Sequence, residues 1–258
     1  MSTYIQNFLK FRPLLNELVA RDIKIKYRRS ILGVLWTLLN PLLMMVVLSV
    51  VFTNLFKFDI ENFPIYILSG QAIFNFYSDA TNNGMASILG SASLIKKVYI
   101  PKYLFVVSRI CSSVINLAAS FSALLLVMMA MRVELHYTII LSIIPVLLLI
   151  VFSLGIGLFL AALVVKFRDI MHLYSVFITA LMYLTPVIYP MSILPDWLSK
   201  IVRFNPLTNY LMMFRNVMLN NTVFGVGDLC IGILEAGVSL AVGLFVFYRN
   251  QDTFILNL

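Results

Sequence analysis

The sequence predicts an all-α integral membrane protein, and three observations carry that prediction. Hydrophobic residues make up 61% of the 258-residue chain and charged residues only 12%, about half the share of an ordinary soluble domain. Six stretches read as bilayer crossings, each near the roughly 20 helical residues that a hydrocarbon core demands. The net charge of +8 gathers at the ends of those stretches. With so few charges in the chain, that excess needs a membrane explanation and not a nucleic-acid one.

The elements follow in order. From Pro13 the pattern is helical, with proline tolerated in a first turn. Leu15, Val19, Ile23 and Tyr27 recur every four residues with Leu18 beside them, while Glu17, Arg21, Lys24 and Arg28 take the other side. That pattern predicts an amphipathic helix on the inner membrane surface. It is either a plain anchor or a docking surface for a cytosolic partner. The chain turns apolar at Ile31 and stays so through position 56. That run exceeds the roughly 7–15 residues of a signal-peptide core, and no small-residue cleavage site follows it.

The predicted spans are residues 31–56, 63–83, 103–131, 137–165, 170–189 and 226–248. The second is the weakest, because it carries Asn75, Asp79 and Asn82. With both termini in the cytoplasm, the inner segments hold the basic cluster from Lys10 to Arg29. They also hold Lys96, Lys97, Lys102, Arg109, Lys166, Arg168 and Arg249. The outer segments keep Lys57, Arg132, Lys200, Arg203 and Arg215. The positive-inside rule favours this topology.

Residues 82–105 are too polar to span and too apolar for a plain loop. Leu94, Ile95 and Val98 share one helical face, with Lys96 and Lys97 pointing away. A short helix at the cytoplasmic surface, ended near Pro101, fits this pattern; a loose loop is the alternative. From the end of the fifth span onward come Pro186, Pro190, Pro195 and Pro206 in a stretch that remains apolar. Its helical pieces, 196–204 and 207–219, are too short to cross, so they are expected as half-spanning helices on the outer side. Ser153, Gly157 and Ala161 on the fourth span, and Gly232 and Ala236 on the sixth, mark where helices pack closely.

No phosphate-cradling G-x-x-x-x-G-K-[ST] loop occurs. His136 and His172 fall in loops on opposite predicted faces, Ser112 and Ser113 have no neighbouring base, and Cys111 and Cys230 read as buried small hydrophobes. Asp79 and Glu235 are the predicted intramembrane carboxylates, functional candidates by default, although Asp79 lies near a span end. No catalytic, cofactor-binding or metal site is expected. The chain spans a membrane and has no engine, so a transporter of this kind draws its energy elsewhere.

Six quoted stretches, in this order, resemble a known family. They are RDIKIKYRRSILGVLWTLLNPLL, SLIKKVYIPK, FRDI, TPVIYPMSILPDWL, FNPLTNYL and FRNVML. No single one is decisive; the ordered set over nearly the whole length is specific. The chain resembles the membrane subunit of a type-2 ABC exporter, in the branch that exports lipid-linked polysaccharides of the O-antigen, capsule and teichoic acid types. The resemblance implies one transmembrane domain over residues 1–258. Residues 1–30 would hold a cytoplasmic interface helix, 31–248 six spans and 249–258 a cytoplasmic tail. It implies a multi-pass protein of the bacterial cell membrane that works as a homodimer with two cytosolic ATP-binding subunits. Those subunits, not this chain, would bind ATP and magnesium. Membrane lipid and lipid-linked glycan complete the partners.

The resemblance also implies roles. Residues 91–99 would form a coupling helix toward the ATPase, carried by Leu94, Ile95, Lys96, Lys97, Val98 and Tyr99. The two lysines are otherwise a positive-inside anchor. Arg168 and Asp169 are either a second contact to the ATPase or a solvated turn. The interface helix would present Glu17, Arg21, Lys24 and Arg28. The outer pieces would act as gate helices, holding Trp197, Phe204, Asn205 and Tyr210. The path would run between two subunits along the first and fifth spans. A glycan path needs ring faces and scattered hydrogen-bonding groups. Trp36, Asn40, Phe52 and Phe56 on the first span and Tyr174, Phe177, Thr179 and Tyr183 on the fifth are candidates. Each is otherwise an ordinary core or lipid-facing residue. The same fold could instead export small hydrophobic drugs or lipids. A self-sufficient channel or ion-coupled transporter would need more buried carboxylates than this sequence offers.

Overall fold

The computed structural model describes residues 2–28, 30–55, 60, 62–98 and 100–254, with the backbone alone for 2–10, 27 and 55. Phe56 and Tyr99 lie outside the described residues. Every regular element described is helical. Helix α1 (Ser2–Tyr27) precedes α2 (Trp36–Leu55). Then come α3 (Phe63–Gly90), the four-residue α4 (Ala92–Ile95) and α5 (Tyr103–Ala130). Helices α6 (Ile143–Lys166) and α7 (Ile170–Tyr183) follow, then the short α8 (Asp196–Phe204) and α9 (Pro206–Met218), and last α10 (Val226–Asn250).

Four helical stretches among the described residues are long and apolar enough to cross a membrane: Gly33–Asn54, Tyr103–Ala130, Tyr137–Lys166 and Val226–Thr253. The other two predicted spans differ, each for a physical reason. Helix α3 has 28 residues, about 42 Å at 1.5 Å per residue, but polar side chains dilute it. Helix α7 is apolar but only 14 residues long, about 21 Å. It stops at Tyr183 where the sequence reaches Pro186, which can neither continue a helix nor let Thr185 before it stay helical.

Two further boundaries move. Helix α1 starts at Ser2, so Pro13 lies inside it and not in its first turn. A helix-interior proline costs about 3 kcal/mol. Phe11 and Leu14, either side of it, and Leu18 beyond pack on the core and hold the helix through. Helix α3 runs on to Gly90, absorbing residues 82–90 that read as surface. Its polar groups there are satisfied within the helix: the Ser87 hydroxyl donates to the Gly84 carbonyl and the Thr81 hydroxyl to that of Tyr77.

Helix α3 is the centre of the bundle. Ile65, Ile67, Leu68, Ile73 and Ile88 are fully buried, against α5 on one side and α6 and α9 on others. Helices α3 and α6 run in the same direction: Tyr77 stacks on Phe152, and further along Gly84 backs onto Gly157. Helix α10 follows the same sense along α6. The Ser239 hydroxyl donates to the Phe152 carbonyl. A Cβ on Gly155 would lie 2.3 Å from the Ser239 backbone, and one on Gly243 would lie 2.1 Å from the Gly155 carbonyl oxygen. Among the described glycines, Gly155 and Gly243 bring α6 and α10 together most tightly, while Gly157 of the predicted small-residue stripe serves α3.

This common direction sorts the molecule into two ends. The C-terminal ends of α3, α6 and α10 lie together with α4 and the turn at residues 167–169. Lys102 donates to the Gln251 carbonyl there, joining the start of α5 to the end of α10. The opposite end carries α8, α9 and the start of α3. Helix α2 is the outlier, with no buried residue among those described. Leu43, Val46, Val47 and Val50 are all more than half exposed, as an apolar helix facing lipid or another subunit would be.

Candidate functional site

The chemistry of this chain is distributed over four places. The first is the end of the bundle where α3, α6 and α10 finish. Helix α4 is shorter than the predicted coupling helix, though turns continue past it: the Lys96 amide donates to Ala92 O and the Val98 amide to Leu94 O. Ile95 is buried and Leu94 packs on the core, while Lys96 and Lys97 face solvent. Val98 is exposed and does not join the buried face. Arg168 and Asp169 sit in the exposed turn between α6 and α7, at the same end as α4. Glu17, Arg21 and Lys24 on α1, and Arg28 in the turn just after it, are all exposed, as the periodicity predicts.

Helix α1 is pinned by a residue the periodicity passed over. Asp22 lies on the face turned toward α5, its side chain 5% exposed, and its Oδ1 is 3.1 Å from Arg109 Nη1. Arg21 reaches the same oxygen at 3.3 Å. The second oxygen, Oδ2, is buried without a hydrogen-bond partner. An acidic residue inside a basic cluster is a signal in the sequence, and only the fold shows that it faces inward.

The second place is a polar groove between the α1–α2 corner and the helices α3 and α5. It consists of two adjoining cavities of about 200 and 230 Å³ that share Lys26 and Asn116. Trp36 and Asn40, predicted path residues, line it from α2; Asn75, Asp79 and Asn83 line it from α3. Helix α5 contributes Arg109, Asn116 and Ser120 at helical spacing. Phe52, farther along α2, is half-buried and is not among the groove residues.

The third place surrounds α7. Tyr183 is 70% and Phe177 51% exposed, and Thr179 shares their open face. Tyr174 turns inward: it is buried, and its hydroxyl lies 2.6 Å from Thr81 Oγ1 on α3. Tyr174 and Phe177 stack at 5.9 Å and, with Tyr77, Phe152 and Phe159, wall an apolar cavity of about 320 Å³.

The fourth place is the α8–α9 hairpin. Asn205 at its apex caps α9, its Oδ1 accepting from the Leu207 amide, while its Nδ2 donates to Thr185 Oγ1 at 2.8 Å. This is the side-chain acceptor that a helix start favours. Trp197 and Phe204 on α8 are exposed, Phe204 at 90%. Tyr210 is fully buried and donates to the Gly232 carbonyl on α10. Arg215 fastens the hairpin to the rest. It is 3% exposed, yet its guanidinium donates to the carbonyls of Pro186, Val187 and Tyr66 and to Ser69 Oγ. The sequence marked Arg215 only as an outer basic residue. An arginine within an apolar stretch was the available signal for a buried node.

Comparison with known proteins agrees with this architecture. Residues 13–219 match the family described as ABC-2 type transporter. The chain is 30% identical to the O-antigen export system permease protein RfbA of Myxococcus xanthus, covering 84% of each chain. It is 25% identical to the protein of that name from Klebsiella pneumoniae, covering 93% of each. It is also 21% identical to the polysialic acid transport protein KpsM of Escherichia coli, again over 93% of each.

Proposed function

The chain belongs to the ABC-2 type transporter family, and from that premise we propose that it is the membrane subunit of an ATP-driven polysaccharide exporter. The observation that carries the proposal is its likeness, over most of both lengths, to proteins named for O-antigen export and polysialic acid transport. No relative among these is named for drug export, so the drug reading has nothing specific to favour it. The protein is multi-pass, and ATP hydrolysis belongs to a separate ATP-binding partner.

The finer reading has six crossings. Helix α3 and the α7 region add to the four apolar helices, and both termini face the cytoplasm. Two copies join two ATP-binding subunits in the bacterial cell membrane. The exposed apolar faces of α2 and α7 support a subunit–subunit path along them. The exposed lysines at Lys96 and Lys97, held beside the buried Ile95, suit a segment that receives force from the ATPase. Arg168, Asp169 and the outer face of α1 lie where they can share that contact. ATP-driven closure of the partners moves this end of the bundle, the subunits separate, and the lipid-linked glycan advances outward. At the far end the α8–α9 hairpin, with Trp197 and Phe204 exposed, gates its exit.

The test is to deplete this protein in its native cell and assign lipid-linked glycan to each membrane side. Accumulation at the cytoplasmic face with a fall in surface glycan is the expected result. Unchanged surface glycan with no accumulation would overturn the proposal.

A further inference from the structure

We infer that the polar groove between the α1–α2 corner and helices α3 and α5 is a binding site for neutral sugar units, formed within a single subunit. The inference deepens the polysaccharide reading and rests on it. It gives the glycan a holding site separate from the path between subunits.

The groove is a built feature and not a chance cleft. Two helices present polar stripes to one space. On α3 these are Asn75, Asp79 and Asn83, four residues apart; on α5, Arg109, Asn116 and Ser120 recur at helical spacing. In a membrane protein, polar side chains lie against one another or against a wet cavity, because exposure to hydrocarbon is costly. Among the described residues, the amides of Asn40, Asn75, Asn83 and Asn116 have no hydrogen-bond partner, nor has the Asp79 carboxylate. Asp22, nineteen-twentieths buried at the wall of the second cavity, also has an oxygen without a partner. Together the two cavities fall within the roughly 300–1,000 Å³ of ordinary ligand pockets.

The donor set selects the ligand. Lys26 and Arg109 balance Asp22 and Asp79, so the groove carries no net formal charge. An anionic group such as a phosphate would face the Asp79 carboxylate, with Arg109 already engaged by Asp22. A metal cation would face two side-chain cations. A polyol meets neither obstacle. Carboxylates accept from hydroxyls, and amides both donate and accept. Trp36, 42% exposed at the wall, offers an indole face to the C–H face of a sugar ring, being apolar in body with a polar handle. Arg109 stands beside Gly90 at the end of α3, where α4 follows, so the groove opens toward the proposed cytoplasmic side, where glycan waits before export.

The test uses the complete exporter in living cells. A benzophenone amino acid is placed, one position at a time, at Asn75, Asn116, the open α7 residue Tyr183 and the exposed α2 residue Val47. Cells are fed tritiated galactose and glucosamine with radioactive phosphate, so their own glycan is the probe. The expected result is tritium cross-linked at 75 and 116 well above the level at 47. Asp79→Asn, scored only where the protein reaches the membrane in normal amount, should reduce capture at 75 about tenfold. Tritium at 183 but not at 75 or 116 would overturn the groove site and leave the exporter reading standing. Phosphate without tritium at 75 and 116 would also overturn it, in favour of a headgroup. No tritium at any position in cells that still display glycan would overturn both.

Discussion

The guanidinium of Arg215 lies 3.5 Å over the ring of Tyr66 and donates to that residue's own carbonyl at 3.0 Å. With the carbonyls of Pro186 and Val187 and the Ser69 hydroxyl, this fully occupies a buried cation that has no carboxylate partner among the described residues. One side chain therefore joins α9, the start of α3 and the turn after α7. Arg215→Met should leave buried carbonyls unpaired and cost about 3–5 kcal/mol. In a chain of this size that is a fall in melting temperature on the order of 10 °C, readable by thermal aggregation of the detergent-solubilised protein. Arg215→Lys should recover only part, because an ammonium cannot reproduce the planar fork.

The contact between Asp22 and Arg109 fixes α1 against α5. Asp22→Arg should place two cations face to face and release α1, seen as faster proteolysis near its end. The double exchange Asp22→Arg with Arg109→Asp should restore protection, with a coupling of about 1–2 kcal/mol. Failure of the double variant to recover would mean that α1 is held by Phe11, Leu14 and Leu18 alone.

Gly155 and Gly243 set the approach of α6 to α10. Gly155→Ala puts a methyl into the Ser239 backbone, and Gly243→Ala puts one into the Gly155 carbonyl. Neither backbone can turn aside as a side chain would. Each substitution should destabilise the protein by about 1–3 kcal/mol, measured as a loss of monodisperse protein on heating. Gly237→Ala is the control, since its added methyl meets nothing within 4 Å.

Lys96→Glu with Lys97→Glu changes two exposed residues and should leave stability within about 0.5 kcal/mol. It should nevertheless uncouple export, so that the partner ATPase binds or hydrolyses without moving glycan. Intact export and assembly in this double variant would remove the proposed coupling role of the segment.

Most of the bundle was legible in the sequence because hydropathy and period are local. The apolar runs of α2, α5, α6 and α10 announce themselves, and the exposed face of α1 at Glu17, Arg21 and Lys24, with Arg28 just after it, follows from a four-residue repeat. The misses share a cause. Pro13 inside α1, and the continuation of α3 through residues 82–90, depend on neighbours far away in the chain. The shortness of α7 was signalled by Pro186, but the predicted span of 170–189 ran through that proline.

The candidate site divides in the same way. By itself, the amino-acid order determined an all-helical membrane subunit, its charge bias, its lack of nucleotide-binding or metal-binding patterns, and the identity of Trp36 and Asn40 as residues to watch. Only the tertiary structure decided that Trp36 and Asn40 share a groove with Asn75, Asp79 and Asn116. It alone turned Tyr174 inward and Phe177 outward, and made Arg215 a buried joint. Hydrophobicity and helical period are properties of consecutive residues, so one strand of sequence carries them. Which polar faces meet, and which charge is left without water, depends on how separate helices pack, and no local stretch contains that information.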